Sequence, residues 1–143
     1  MKKIISALLL LGLLFQTALA HETKTVLGGK YKVIVGSVNE PAVTMQLNGL
    51  DLLIRTADDK PVANLEKSLK AEITSPDGKF KKTLTLRAQY GKEGAYTDDY
   101  VFSMPGVYNI RVYGYIGDGQ IDETFQTHDV ADIRSLMFPP TGR

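Results

Sequence analysis

Cysteine is absent from the 143-residue sequence. That absence removes disulfides, thiolate metal ligands, covalent haem attachment and thiol redox chemistry, and any fold must hold by packing alone. Histidine occurs only twice, at His21 and His128, so an imidazole-rich metal site is excluded and a serine triad has little to draw on. Ser37, Ser68, Ser75, Ser103 and Ser135 all stand outside a Gly-x-Ser-x-Gly elbow. Gly28-Gly29 and Gly117-Asp118-Gly119 lack the spacing of a phosphate loop. Dense basic tracts are missing too. Lys79, Lys81 and Lys82 form the tightest group, and they sit where a solvated hairpin turn is expected. No electrostatic reason therefore arises to expect nucleic acid or an anionic membrane as partner.

What is present begins with an address. Lys2 and Lys3 precede an apolar run over residues 4–15, and Ala18-Leu19-Ala20 places small residues where a signal peptidase reads. The run is shorter than the roughly 20 residues of a membrane span, and no basic stop-transfer cluster follows it. The expectation is a cleaved secretory signal over 1–20, with an uncleaved N-terminal anchor as the alternative. A periplasmic or secreted location follows, with no transmembrane segment in the mature chain. Of 17 basic and 16 acidic side chains, only Lys2 and Lys3 leave with the leader, so the remainder is close to neutral.

Beyond the leader the pattern is one of strands. Apolar and polar residues alternate with period two over about seven segments, near 31–35, 50–56, 69–74, 83–90, 95–103, 107–116 and 121–127. Turn chemistry separates them: Asn48-Gly49, Pro76-Asp77-Gly78, the 91–94 stretch and Gly117-Asp118-Gly119. Pro41 cannot donate to a ladder and belongs at an edge or bend. No long helices separate the strands as a parallel α/β sheet would require. The pattern predicts an all-β protein, an immunoglobulin-like antiparallel β-sandwich over 30–129, with a small barrel as the alternative architecture. Residues 21–29 read as a flexible N-terminal arm. Residues 130–143 read as a C-terminal extension with a short helix, which Asp129 would cap. Tyr108, after Pro105-Gly106, suits the corner tyrosine of such sandwiches.

The acidic pairs Asp58-Asp59, Asp98-Asp99 and Asp122-Glu123 follow no regular calcium loop. In a strand, Asp122 and Glu123 point to opposite faces, which does not suit a pair of catalytic acids, and one of them is placed to pair with Arg111 on the preceding strand. No enzymatic constellation emerges.

Several short pieces in order carry a resemblance: Asn39-Glu40-Pro41-Ala42, Asn48-Gly49, the run 62–70, residues 86–96, Pro105-Gly106-Val107-Tyr108, Gly114-Tyr115-Ile116-Gly117 and Ile121-Asp122-Glu123-Thr124-Phe125. Across most of residues 33–125 the chain resembles a family of uncharacterised exported immunoglobulin-like proteins of bacteria and archaea. It is broadly similar to small periplasmic copper-handling sandwiches. That second resemblance implies copper bound through an N-terminal histidine and further histidine or acidic ligands. His21 corresponds to the first ligand, with His128 and Asp129 as the rest. The chain departs from that family in having two histidines and no methionine-rich loop.

The chemistry of His21 runs the same way. Cleavage after Ala20 would give it two nitrogen donors, the α-amine and the imidazole, which suit the tetragonal nitrogen and oxygen coordination of Cu(II). His128 would add a nitrogen, and Asp129 or Glu22 an oxygen. Met45, Met104 and Met137 fit packing better than a Cu(I) site. Two functions remain on these residues. One is an exported non-enzymatic binding domain that takes copper through His21, His128 and Asp129, with a copper ion or an envelope protein as partner. The other is a structural or protein–protein interaction domain without metal.

Overall fold

The computed structural model describes residues 21–141. The signal-peptide reading of 1–20 lies outside the described residues. Among the described residues, ten strands form two antiparallel sheets packed as a sandwich. They are β1 (Glu22–Val26), β2 (Tyr31–Ser37), β3 (Leu47–Thr56), β4 (Leu69–Thr74), β5 (Lys81–Leu84), β6 (Arg87–Ala88), β7 (Ala95–Thr97), β8 (Asp99–Val101), β9 (Asn109–Ile116) and β10 (Gly119–Gln126). The first sheet runs β1-β2-β3-β7-β6, with β8 also on β3; the second runs β10-β9-β4-β5.

The core lies between the sheets and follows the period-two pattern. Val33 and Val35 on β2, Leu50, Leu52 and Ile54 on β3, Ala71 on β4, Ile110 and Val112 on β9 and Phe125 on β10 are almost wholly buried. Burial of apolar surface is what stabilises a cysteine-free sandwich, at about 25 cal/mol per Å² removed from water. The tyrosine corner forms. Tyr108 Oη donates to the Met104 carbonyl at 2.7 Å and accepts from Met104 N at 3.2 Å.

Four expectations need correcting. The arm over 21–29 is strand β1, paired along its length with β2, followed by a turn through Leu27, Gly28 and Gly29, all with positive φ. Its polar inward residues disguised it. Glu22 Oε2 accepts from Gln126 N at 2.9 Å and Lys24 Nζ donates to the Thr124 carbonyl at 2.6 Å, so they seal the sandwich edge against β10 instead of entering the core. Asn48-Gly49 is no turn but the interior of β3. Asn48 is buried and bonds both the N–H and the carbonyl of Asn39, clamping the loop before it. Gly49 is glycine because a Cβ there would lie 2.6 Å from the Asp98 carbonyl oxygen.

Strand number also differs from seven. The 83–90 segment is two strands because the chain switches sheets after β5 and re-enters the other sheet as β6. The 95–103 segment divides into β7 and β8 around Asp98, whose carboxylate caps Thr85 N at 2.9 Å. Finally, the segment from Val130 does not leave the sandwich. Val130 is buried and bridges Gly106, and Ala131 bridges Val43. The short helix is a 3-10 turn, Ile133–Leu136, capped by Asp132 rather than Asp129.

Asp122 and Arg111 meet as a two-pronged pair, with Nε–Oδ1 at 2.8 Å and Nη2–Oδ2 at 2.7 Å. Those bonds hold the Asp122 carboxyl below its ordinary 3.8. A lowered folded-state pKa means the contribution to stability is present above about 3.8 and fades as pH falls through the folded value. Both groups are exposed, so the effect on stability is small. Carboxyl-detected NMR titration should place the Asp122 midpoint below that of an ordinary aspartate. Arg111→Lys should move it back up; an unmoved midpoint would mean the pair does not persist in solution.

Candidate functional site

Two regions hold side chains in arrangements that the core does not require. The first contains His21. At the start of β1 its imidazole lies across Gly36 on β2 and reaches Asp51 on β3, with Nε2 to Oδ2 at 2.8 Å. A Cβ on Gly36 would stand 2.4 Å from the ring's Cδ2, so glycine is what lets the ring cross. Asp51 is nearly buried and its other oxygen accepts from Gln89 Nε2 at 2.6 Å, with Lys92 Nζ at 3.7 Å. The cluster occupies the outer face of the first sheet, since Asp51 alternates with the inward residues Leu50 and Leu52.

His128 and Asp129 follow the end of β10. Both are exposed, between buried Thr127 and buried Val130. Among the described residues, no hydrogen bond or ion pair links either of them to His21, and no group of three or more histidine and acidic residues is gathered to hold a metal ion. The partners that His21 does have, Asp51 and Gln89, were not visible in the sequence as site residues. The only signal was Asp51 as an acid set between Leu50 and Leu52.

Gly36→Ala tests this geometry. The methyl would displace the ring and part His21 from Asp51, at a stability cost of about 1.5 kcal/mol, the low end for a hydrogen bond to a charged group. The His21 ring signals in NMR should move toward those of an exposed histidine. Unchanged signals would place the ring away from Gly36.

The second region is a cleft of about 310 Å³ between β5 and β8. Among the described residues, β5 ends the second sheet and β8 pairs only with β3, so neither has a second neighbour. Ile73, Phe102 and Tyr108 form its floor, and Phe80, Val101 and Met104 line its mouth. Phe80, just before β5, shares the core-facing side with 82 and 84 on the strand: 82 and 84 stand opposite 73 and 71 on β4, and Phe80 is joined to Ser75, just after β4. Leu84 is buried there, yet Phe80 is 67% exposed and Lys82 is also exposed. The inward face of β5 is therefore left uncovered at its start. Leu47 and Val101, a cross-strand pair beside the cleft, add exposure of 68% and 49%. Tyr100 lines the cleft with its hydroxyl buried and without a hydrogen-bond partner. Burial first, then the carboxylates of Glu40 and Asp98, push its ionisation upward, so it remains a neutral phenol.

Among the described residues no helix is long and apolar enough to cross a membrane. No family model matches the sequence, and no curated protein matches it. Among known structures, 72% of the chain is similar to part of a DUF4785 family protein from Legionella pneumophila subsp. pneumophila, at 10% identity and a TM-score of 0.46. The match spans only 28% of that protein's length. A second likeness covers 67% of the chain and 90% of the Lin-41 filamin domain, at 18% identity and a TM-score of 0.41. At such scores the likeness is loose, and the two-sheet sandwich stands on the chain's own strand pairing.

Proposed function

We propose that this chain is an exported, non-enzymatic, immunoglobulin-like domain that works by binding another protein through the cleft between β5 and β8. One observation carries the reading: Phe80, next to the start of β5 and on its core-facing side, is left largely exposed. An apolar side chain of that size left uncovered in a lined cleft marks a contact surface better than a solvated turn does. The cleft volume falls at the low end of the roughly 300–1,000 Å³ of small-molecule pockets. Its position along two open strand edges suits a segment of chain rather than a compact ligand.

Photo-crosslinking tests the reading. A benzophenone side chain placed at position 80 or 101 should give discrete protein adducts in the cells that make the chain. The same group at position 25, on the exposed outer side of β1, should give none. Adducts spread evenly over all three positions would remove the cleft as the binding surface. Export is checked separately: the mature protein should begin at His21 by mass spectrometry, and recovery of a chain still beginning at Met1 would end that part of the proposal.

Copper at His21 is the second reading, and the Asp51 contact favours it. A carboxylate only accepts, so Nε2 carries a proton, and in the neutral imidazole Nδ1 then keeps its lone pair for a metal. Cleavage after Ala20 would free the α-amine of the same residue, giving two nitrogens suited to Cu(II). His128 and Asp129 complete the set only if they approach. Titration of protein beginning at His21 should give a one-to-one Cu(II) complex that His21→Ala abolishes, with His128→Ala reporting whether the second histidine takes part. A complex that survives His21→Ala would remove this reading.

A further inference from the structure

We infer that the cleft's partner is an extended, acidic segment of another protein that adds itself as a strand to the free edge of β5. This rests on the cleft being the binding surface and names what would fill it.

Hydrogen-bond parity supplies the first argument. Ser75 N donates to the Phe80 carbonyl at 2.9 Å, so 75 and 80 form a hydrogen-bonded pair. Such pairs alternate along an antiparallel ladder, and the next two are Ile73 with Lys82 and Ala71 with Leu84. The N–H and C=O groups of Lys81 and Thr83 therefore point away from β4, toward the side where β5 has no neighbour. The same count on β8 starts from Leu50 N donating to the Asp98 carbonyl at 3.0 Å. It leaves Asp99 and Val101 facing outward, and the Asp99 N–H is already taken by the Asp98 side chain at 2.9 Å. The β5 edge thus offers the longer run of open backbone groups.

Side chains supply the second. A strand beside β5 would place alternate residues over Phe80 and the Ile73 and Phe102 floor, and those residues must be apolar. Charge sets the rest. Lys79, Lys81 and Lys82 flank the edge, and among the described residues only Lys81 has an ion-pair partner, Glu72 at 3.6 Å. Edge lysines commonly guard a sheet against pairing with its own kind. Here they do so by repulsion, because two β5 edges brought together would set these lysines against each other. A second copy is thereby disfavoured, and a strand bearing carboxylates is favoured by the same charges.

The probe is a capped nine-residue peptide alternating valine and glutamate, added to isotope-labelled protein and followed by backbone NMR. The amide signals of Lys81 and Thr83 should move most. Binding should be at least tenfold tighter than that of the matching valine–lysine peptide. Full N-methylation of the valine–glutamate peptide, which removes its N–H donors, should lose at least tenfold. Lys81→Glu, an exposed change on the outer side where the peptide's glutamates would lie, should reverse the preference between the two peptides. Unmoved signals at Lys81 and Thr83, movement at Val101 instead, or equal binding of the N-methylated peptide would each overturn strand addition at β5. Crosslinking from position 80 that persists beside such a result would leave the cleft as the binding surface and remove only the strand.

Discussion

Gly114→Ala should cost about 4 kcal/mol or more, a large share of the roughly 5–15 kcal/mol that is the whole stability of a typical domain. Gly114 lies inside β9, the central strand that pairs with both β4 and β10. Its φ is +124°, a region that side chains with a Cβ rarely enter. A methyl there would stand 2.2 Å from the Ser68 carbonyl oxygen and 3.2 Å from the Leu69 Cα. Both obstacles are backbone and neither swings aside. The approach is also functional for the strand, because Ser68 bonds Tyr115 twice, its carbonyl accepting from Tyr115 N at 3.1 Å and its hydroxyl donating to the Tyr115 carbonyl at 2.9 Å. Gly117→Ala is the matched control. Its φ of +58° is also left-handed, but a Cβ there meets nothing within 4 Å. It should cost about 1 kcal/mol, the conformational term alone. Urea unfolding of the two variants separates strain from collision, and equal losses would mean that β9 is not pressed against Ser68.

Gly114 also marks how far the sequence can be read. The alternation of Tyr108, Ile110 and Val112 with Asn109 and Arg111 predicts β9, and Ile110 and Val112 are wholly buried as that pattern demands. The hairpin at Gly117-Asp118 forms, with Gly119 opposite Ile116. These features are local, and a strand with one buried face writes them into its own residues. What failed was non-local. Asn48-Gly49 has turn chemistry, yet those residues serve a side-chain clamp to Asn39 and a close approach by Asp98. Glu22 and Lys24 read as solvated because their partners, Gln126 and Thr124, lie about a hundred positions away.

The candidate sites were less legible still. His21 stands out in sequence through its place beside Ala18-Leu19-Ala20, but its contact with Asp51 depends on Gly36 standing between them on the intervening strand. The cleft has no motif. It exists because β5 and β6, read as one strand, belong to different sheets. The lysine group has the composition of a solvated turn, and only the pairing with β4 and Ser75 reveals that Phe80 and Lys82 share the side meant for the core.

Phe102→Ala should lose about 4 kcal/mol, in the range for emptying a fully buried phenylalanine site. Phe102 is 1% exposed. Its ring packs edge-on against Tyr100 at 5.1 Å between centroids and tilted against Tyr108 at 4.6 Å, contacts worth about 0.5–1.5 kcal/mol each beyond burial. Its carbonyl still accepts from Met45 N at 2.8 Å in either variant, so the loss would belong to the ring. Phe102→Leu keeps most of the volume and should cost about 1.5 kcal/mol or less. Phe80→Ala, a few ångströms of side chain away across the same cleft, should leave stability within about 0.5 kcal/mol because its ring is largely in water. That contrast bears on function as well as packing. A cleft floored by a core aromatic is held open before any partner arrives, so binding need not be spent on ordering it. If thermal and urea unfolding find Phe80→Ala as damaging as Phe102→Ala, Phe80 is covered by the chain itself, and the uncovered face on which the binding proposal stands does not exist.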